Sequence, residues 1–327
     1  MQPNSSIYDF SKAKMRCHSL YYLVCPGREK TPKQRYEALE AVLADEMNKY
    51  NNIPTHLLEK ATGLKKAAKI AGIEYELKQL EPRRYEDPLP KTARTYLKGI
   101  YGELKYGKKP SFKDKGNKYT NKGKEVEELS LQLISRMDGY VYEKNEVRLE
   151  NDFISGIPDT FRGGKSIYEA EYIPDVKSSW DWGTFSENIG NPLNPVYWWQ
   201  EQGYFWLSGA TAGEVSYCLI SLPEHLLMAE IDNLRSRMAK RLNVIDVTVT
   251  EEYKLSEFDL INNLTFDEIP ENERRLKFEV KRSEDAIKKI QETVPKCRDY
   301  LNEIQEMHLS GFFSDKELPI LENIEEI

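Results

Sequence analysis

Two acidic residues and a lysine hold the clearest chemistry in this chain. Asp159 stands in Ser155-Gly156-Ile157-Pro158-Asp159-Thr160-Phe161, and after fifteen intervening residues comes Asp175-Val176-Lys177. Between them, Arg162-Gly163-Gly164-Lys165-Ser166 reads as a turn. The β-branched and aromatic residues on both flanks read as strands. The pattern therefore predicts adjacent antiparallel strands with Asp159 and Asp175 side by side. Carboxylates so placed repel each other unless a cation lies between them, and hard oxygen ligands completed by water and phosphate suit Mg²⁺. Asp175 and Lys177 are two apart and share a strand face. That sets an ammonium where a phosphate and an attacking water would lie. The chemistry implied is metal-assisted cleavage of a phosphodiester.

The flanking segments must position this set. Upstream, Gly123-Lys124-Glu125-Val126-Glu127-Glu128 opens a helical run to Arg136 and offers a further carboxylate, Glu127. Downstream, Tyr197-Trp198-Trp199-Gln200-Glu201-Gln202-Gly203-Tyr204 places Gln200 and Tyr204 four apart, on one helical face. In this order and spacing the motifs resemble the PD-(D/E)xK nuclease superfamily. Within it they resemble the phage lambda-exonuclease-like branch, the YqaJ-type viral recombinases. Leu207-Ser208-Gly209-Ala210, a strand over 214–222 and the early Met15-Arg16-Cys17-His18-Ser19-Leu20 fit that branch. The resemblance covers residues 88–308 and that early patch.

The resemblance implies an α/β (α+β) fold: a restriction-endonuclease-like core whose central mixed β-sheet is flanked by helices. It implies Asp159, Asp175, Glu127 and the Val176 carbonyl as metal ligands. Lys177 would orient the water or stabilise the transition state, Gln200 would hold the Lys177 region or the phosphate, and Tyr204 would pack beside it. The activity implied is a Mg²⁺-dependent 5′→3′ DNA exonuclease on linear duplex ends, in phage-type recombination, with Mn²⁺ able to substitute. A homo-oligomer, often a trimeric ring, and a single-strand annealing recombinase as partner are implied too. Relatives with an iron–sulfur cluster use one early cysteine and a tight C-terminal trio. Cys17, Cys25, Cys218 and Cys297 lack that trio, so no cluster is expected. The alternatives are a structure- or sequence-specific endonuclease of the same fold and a catalytically inactive DNA-binding module.

Composition sets the bounds. The 327 residues suffice for a large core, and 39% hydrophobic with 31% charged residues fits a globular protein. No apolar run approaches membrane-spanning length, and the first residues show no basic stretch followed by an apolar one. The cytoplasm is the expected compartment, without a membrane partner. The net charge of −7 argues against a general nucleic-acid coat. Yet from Lys91 to Lys124 eleven Lys/Arg face only Glu103 and Asp114, with five Tyr/Phe interleaved. Such a run is the electrostatic footprint of phosphate-backbone contact. The expected DNA contacts are Lys105, Lys108, Lys109, Lys113 and Lys115 in this run. Arg16, Ser19, Arg28 and Ser178 are added as phosphate contacts, and Trp180 and Trp182 as platforms for a frayed end.

Residues 1–87 read as a helical N-terminal region and insert, and 88–327 as the nuclease core with C-terminal helices in one continuous unit. Thr31-Pro32 signals a helix start, and Leu39, Val42, Leu43 and Met47 suggest the apolar seam of a helical hairpin. In the core the pattern predicts a helix over 124–137 and strands near 141–150, 153–161 and 166–177. A helix over 196–209 and the strand 214–222 follow. Ser221-Leu222-Pro223-Glu224 reads as a capping box opening a helix over 223–241. A strand over 244–254 and a long helix near 283–308, kinked or interrupted by Pro295, complete the expectation.

Overall fold

The structure, a computed structural model, describes residues 7–25, 30–85, 88–109 and 118–311. The chain begins with strand β1 (Met15–Arg16) and helices α1 (Leu20–Val24), α2 (Pro32–Asn51), α3 (Thr55–Leu58), α4 (Ala61–Leu80) and α5 (Lys91–Tyr106). Helix α6 (Lys118–Asp138) leads to four short strands, β2 (Glu143–Lys144), β3 (Leu149–Glu150), β4 (Ile154–Gly156) and β5 (Thr160–Phe161). Strand β6 (Tyr172–Ser178), helices α7 (Trp182–Ser186) and α8 (Pro195–Ser208), and strand β7 (Ala212–Cys218) come next. Helices α9 (Glu224–Leu242) and α10 (Glu251–Leu264), strand β8 (Arg275–Lys281) and helix α11 (Glu284–Ser310) complete it. Contacts group the chain into two compact units, which interleave along the sequence: Met1–Ser11, Tyr22–Tyr101 and Pro295–Ile327 in one, Lys12–Tyr21 and Gly102–Val294 in the other.

In the first unit, α2 starts on a reciprocal cap. Gln34 N–H donates to Thr31 Oγ1 at 3.2 Å, and Thr31 N–H donates to Gln34 Oε1 at 3.1 Å. The α2–α4 hairpin closes over Tyr36, Ile73 and Leu77, with Leu39, Leu43 and Leu80 packed against them. Val42 and Met47 of the expected seam are exposed instead. The buried Glu46 is held by Lys66 at 2.6 Å and Lys69 at 3.0 Å. Helix α11 continues through Pro295 rather than stopping there.

The second unit carries the sheet that matters for chemistry. Strand β6 pairs in parallel with β7, setting Asp175 opposite Val215 and Lys177 opposite Tyr217, and β8 runs antiparallel on the far side of β7. Side chains alternate between the faces of a strand. Val176 and Cys218 therefore point to one face, where α6 delivers Val126, Leu131, Leu133 and Ile134. Asp175 points to the other, where α8 lies and Gln200 reaches it. On the α6 face a buried polar network is fully partnered. Glu214 accepts from Tyr172 Oη at 2.8 Å and Ser216 Oγ at 2.6 Å, lies 2.8 Å from Lys277 Nζ, and pairs with Arg275. Arg275 in turn grips Asp138 at the end of α6 at 2.7 Å.

Several expected boundaries move, each for a local reason. The strand expected over 166–177 begins only at Tyr172, because residues 167–169 close a 3-10 turn. Ser221 does not cap α9. Its hydroxyl accepts from Phe266 N–H at 2.8 Å and donates to Asp267 at 3.1 Å. In place of a strand over 244–254, Thr250 caps α10 by accepting from Tyr253 N–H. Strand β8 lay outside the expectation altogether.

Gly213 marks the closest approach in the sheet. A Cβ there would stand 2.2 Å from the Ile173 carbonyl oxygen and 2.8 Å from the Phe205 ring. Gly213→Ala should cost about 1–3 kcal/mol through overpacking. A urea denaturation midpoint equal to that of the parent protein would refute this close approach.

Candidate active site

Asp159 sits just before β5, and its backbone is held from the side. Asn145 N–H donates to the Asp159 carbonyl at 2.7 Å, and Asn145 Nδ2 donates to the Pro158 carbonyl at 2.9 Å. Across from it, the Val176 N–H of β6 donates to Asp159 Oδ2 at 3.4 Å. Arg162 and Tyr172 form the antiparallel bridge that joins the two halves. The carboxyls of Asp159 and Asp175 are close enough for the charge of Asp175 to act on Asp159. Asp175 is buried, at 1% exposure, and its Oδ2 lies 2.5 Å from Lys177 Nζ as an ion pair without directed hydrogen-bond geometry. Gln200 Nε2 donates to Asp175 Oδ1 at 3.3 Å and lies 2.9 Å from Tyr204 Oη, so the helical i,i+4 pair acts on the strand as a unit.

Electrostatics follow from this crowding. Burial, then the charge of Asp175, pushes the Asp159 carboxyl up to about 7 from its ordinary 3.8. For Lys177 burial acts downward, but the two carboxylates outweigh it and hold the ammonium firmly protonated. Two crowded carboxyls, of which Asp159 holds its proton more tightly than usual when no metal is present, can accept a divalent cation in place of that proton. By that donor set Asp159 and Asp175 fit a hard cation such as Mg²⁺. Glu127 does not join them. It is ion-paired with Lys144 at 3.1 Å. Among the described residues no three carboxylate, histidine or cysteine side chains are gathered to hold a metal.

A further carboxyl, missed in the sequence, lies one residue beyond Gln200. Glu201 is wholly buried, and neither of its oxygens has a hydrogen-bond partner among the described residues. Its Oε2 would lie 3.0 Å from a Cβ at position 213. Burial, then Asp175, raises its pKa well above the carboxylate range. Its signal in the sequence was an acid inside an apolar helix.

The expected DNA contacts separate into distinct groups. Lys108, Lys109 and Trp182 are exposed, and Lys109 lies 3.9 Å from Glu103. Arg16 is half-exposed and paired with Glu103, and Lys105 is partly buried with its ammonium 5.3 Å from the Tyr106 ring. Ser19 is not offered to a phosphate, since it is buried and donates to the Arg16 carbonyl at 2.7 Å. Ser178 Oγ lies 2.9 Å from Ser130 Oγ. Trp180 is not an open platform. It is 8% exposed and packs with Leu222 and Leu264. Arg28, Lys113 and Lys115 lie outside the described residues.

No protein-family model matches the chain, and neither does any curated protein. Among solved structures, the fold matches a phage-related exonuclease from Haemophilus somnus 129PT. The TM-score is 0.52 and the identity 22%, over 90% of this chain and 96% of that one. An alkaline exonuclease from Laribacter hongkongensis aligns at 12% identity and TM-score 0.44, over 68% of this chain and 86% of that one. The first likeness shows a shared fold, a mixed α/β core with flanking helices.

The carboxyl pair makes stability without metal depend on pH. An unfolded aspartate releases its proton near 3.8 and folded Asp159 near 7. The stabilisation from its protonated form is complete below the first value and is lost as the pH rises through the second. In chelator at pH 8, Asp159→Asn should therefore melt several degrees above the parent protein, and the gap should close toward pH 4. Mg²⁺ should raise the melting temperature of the parent protein and leave that of the variant unmoved. Scanning calorimetry checks both, and a variant less stable than its parent at pH 8 would contradict the raised pKa of Asp159.

Proposed function

We propose that this protein is a Mg²⁺-dependent DNA exonuclease that degrades linear duplex from the 5′ end in phage-type recombination. The observation that carries the reading is the Asp159–Asp175 carboxyl pair with Lys177 ion-paired to it on the same strand face. The fold match to a phage-related exonuclease supports it. Asp159 and Asp175 would hold the cation, with the Val176 carbonyl as a further ligand; Glu127 would reach it only by leaving Lys144. When bound, the ion lowers the pKa of a water and neutralises charge on the phosphate. Lys177 keeps its proton between the two carboxylates and presents a fixed positive charge to the scissile phosphate. Gln200 locks Asp175 in orientation, and Tyr204 locks Gln200.

Duplex DNA ends are the proposed substrate. The annealing-protein partner and the ring-shaped homo-oligomer belong to the same proposal. Among the described residues no helix is long and apolar enough to cross a membrane.

End-labelled linear duplex should be degraded with Mg²⁺ or Mn²⁺, and covalently closed duplex should survive. Cutting of the closed form would favour the endonuclease alternative. Asp159→Ala, Asp175→Ala and Lys177→Ala should each lower cleavage by orders of magnitude, non-additively, because the three act as one unit. Ca²⁺ should support binding without turnover. Parent-like cleavage by Asp175→Ala would overturn the assignment. Independently, neutralising the exposed Lys108 and Lys109 should flatten the dependence of log affinity on log salt by about two units. An unchanged slope would remove them from the DNA path.

A further inference from the structure

The chain leaves the catalytic strand through a buried clamp. The last ladder bond at that end is Ser179 N–H to the Cys218 carbonyl at 2.9 Å. Beyond it the carbonyls of Ser179 and Trp180 have left the sheet, and buried carbonyls without donors are costly. Lys122 of α6 supplies the donors. Its ammonium lies 2.8 Å from the Ser179 oxygen and 2.9 Å from the Trp180 oxygen, and its side chain is fully buried. The rings of Trp180 and Phe266 flank the same ammonium at 5.9 Å and 5.3 Å, and Lys118 covers Trp180 at 4.5 Å. Ser130 of the same helix reaches Ser178 one residue earlier. Immediately after the clamp, Asp181 caps α7 by accepting from Thr184 N–H at 2.8 Å. Trp182 is the first residue of that helix. Its ring lies 5.8 Å from buried Phe185, yet 48% of the residue is exposed.

We infer that Lys122 is a positioning residue: by pinning the Ser179 and Trp180 carbonyls it fixes the exit of the catalytic strand and presents Trp182 as a stacking surface for the terminal bases of a DNA end. Charge counting assigned Lys122 to the phosphate-contact run, but a side chain without solvent exposure cannot meet a phosphate. The two tryptophans divide the work. Trp180 is the buried anchor, and Trp182, two residues on, is the exposed ring. Stacking needs a ring held in one orientation, and α7 is too short to orient itself without a fixed start.

The inference rests on the DNA-end reading, and the test separates the two. Binding of a short blunt duplex is measured by anisotropy in chelator, where no hydrolysis occurs. Loss of one stacked base is worth ~1–3 kcal/mol, about 5- to 150-fold in affinity. Trp182→Ala and Lys122→Met should each weaken binding within that range. The double variant should be no more than about twofold weaker than either single one, since both remove the same contact. Affinity for Mg²⁺, measured by calorimetry, should not change. Lys122→Gln, which keeps a donor for one carbonyl, should bind between parent and Lys122→Met; it takes the place of Lys122→Met in the cycle should that variant not fold. Parent-like binding by the Lys122 variants, or losses that multiply in the double variant, would overturn the inference while leaving the nuclease reading intact. A parent protein that neither binds nor cuts duplex DNA would overturn both.

Discussion

The repulsion between Asp159 and Asp175 is the constraint around which the second unit is built. Two carboxylates in contact at the edge of a buried sheet are unstable as a pair of anions. The chain therefore restrains each of them separately. Asn145 holds the backbone before and at Asp159, the Val176 N–H bonds to its carboxyl, Gln200 grips Asp175, and Lys177 neutralises one charge. Without these restraints the aspartates would swing apart into solvent, and the place for a cation would vanish with them. A divalent ion placed between them would relieve the cost of crowding like charges.

Helix α8 carries more of this burden than its two motif residues suggest. Its Gln202 donates to the Lys281 carbonyl at 2.9 Å and accepts from Ser283 N–H at 2.7 Å, tying the helix to the end of β8. Arg282 donates to the Phe205 carbonyl at 2.8 Å. A helix so anchored cannot slide, and Gln200 cannot drift from Asp175. Glu201 is the oddity within it. A fully buried acid with no hydrogen-bond partner among the described residues is held toward its neutral form by burial and then by the charge of Asp175. Kept neutral, it adds no third negative charge to the pair of aspartates.

How much was legible in the sequence differed by element. Asp159, Asp175, Lys177, Gln200 and Tyr204 were readable because local spacing, period two on a strand and period four on a helix, carries their geometry. Glu127 was not, because its motif says which helix it occupies but not where its side chain points, and Lys144 pairs with it. The strand expected over 244–254 failed against a polar helix cap at Thr250, a signal that weighs as much as β-branched content. Strand β8 does carry a local signal, charged and apolar residues alternating along Arg275–Lys281, but a local signal does not say where a strand pairs. Its place in the sheet depends on pairing with β7, a long-range fact that no local pattern contains.

The basic run shows why counting charges differs from locating them. A lysine with its ammonium in water and one with its ammonium on two backbone carbonyls contribute equally to a sequence tally. Lys108 is of the first kind and Lys122 of the second. The difference appears in energetics: burial lowers the Lys122 pKa to about 8, against the ordinary 10.5. Between those values the unfolded chain binds more protons than the folded one, so the cost of burying this group is relieved as the pH rises from 8 toward 10.5. A lysine that touched only phosphate would show no such dependence in the free protein. The division follows the amphipathic helix, because Lys122, Val126, Ser130 and Leu133 fall on one stripe of α6, and that stripe faces inward.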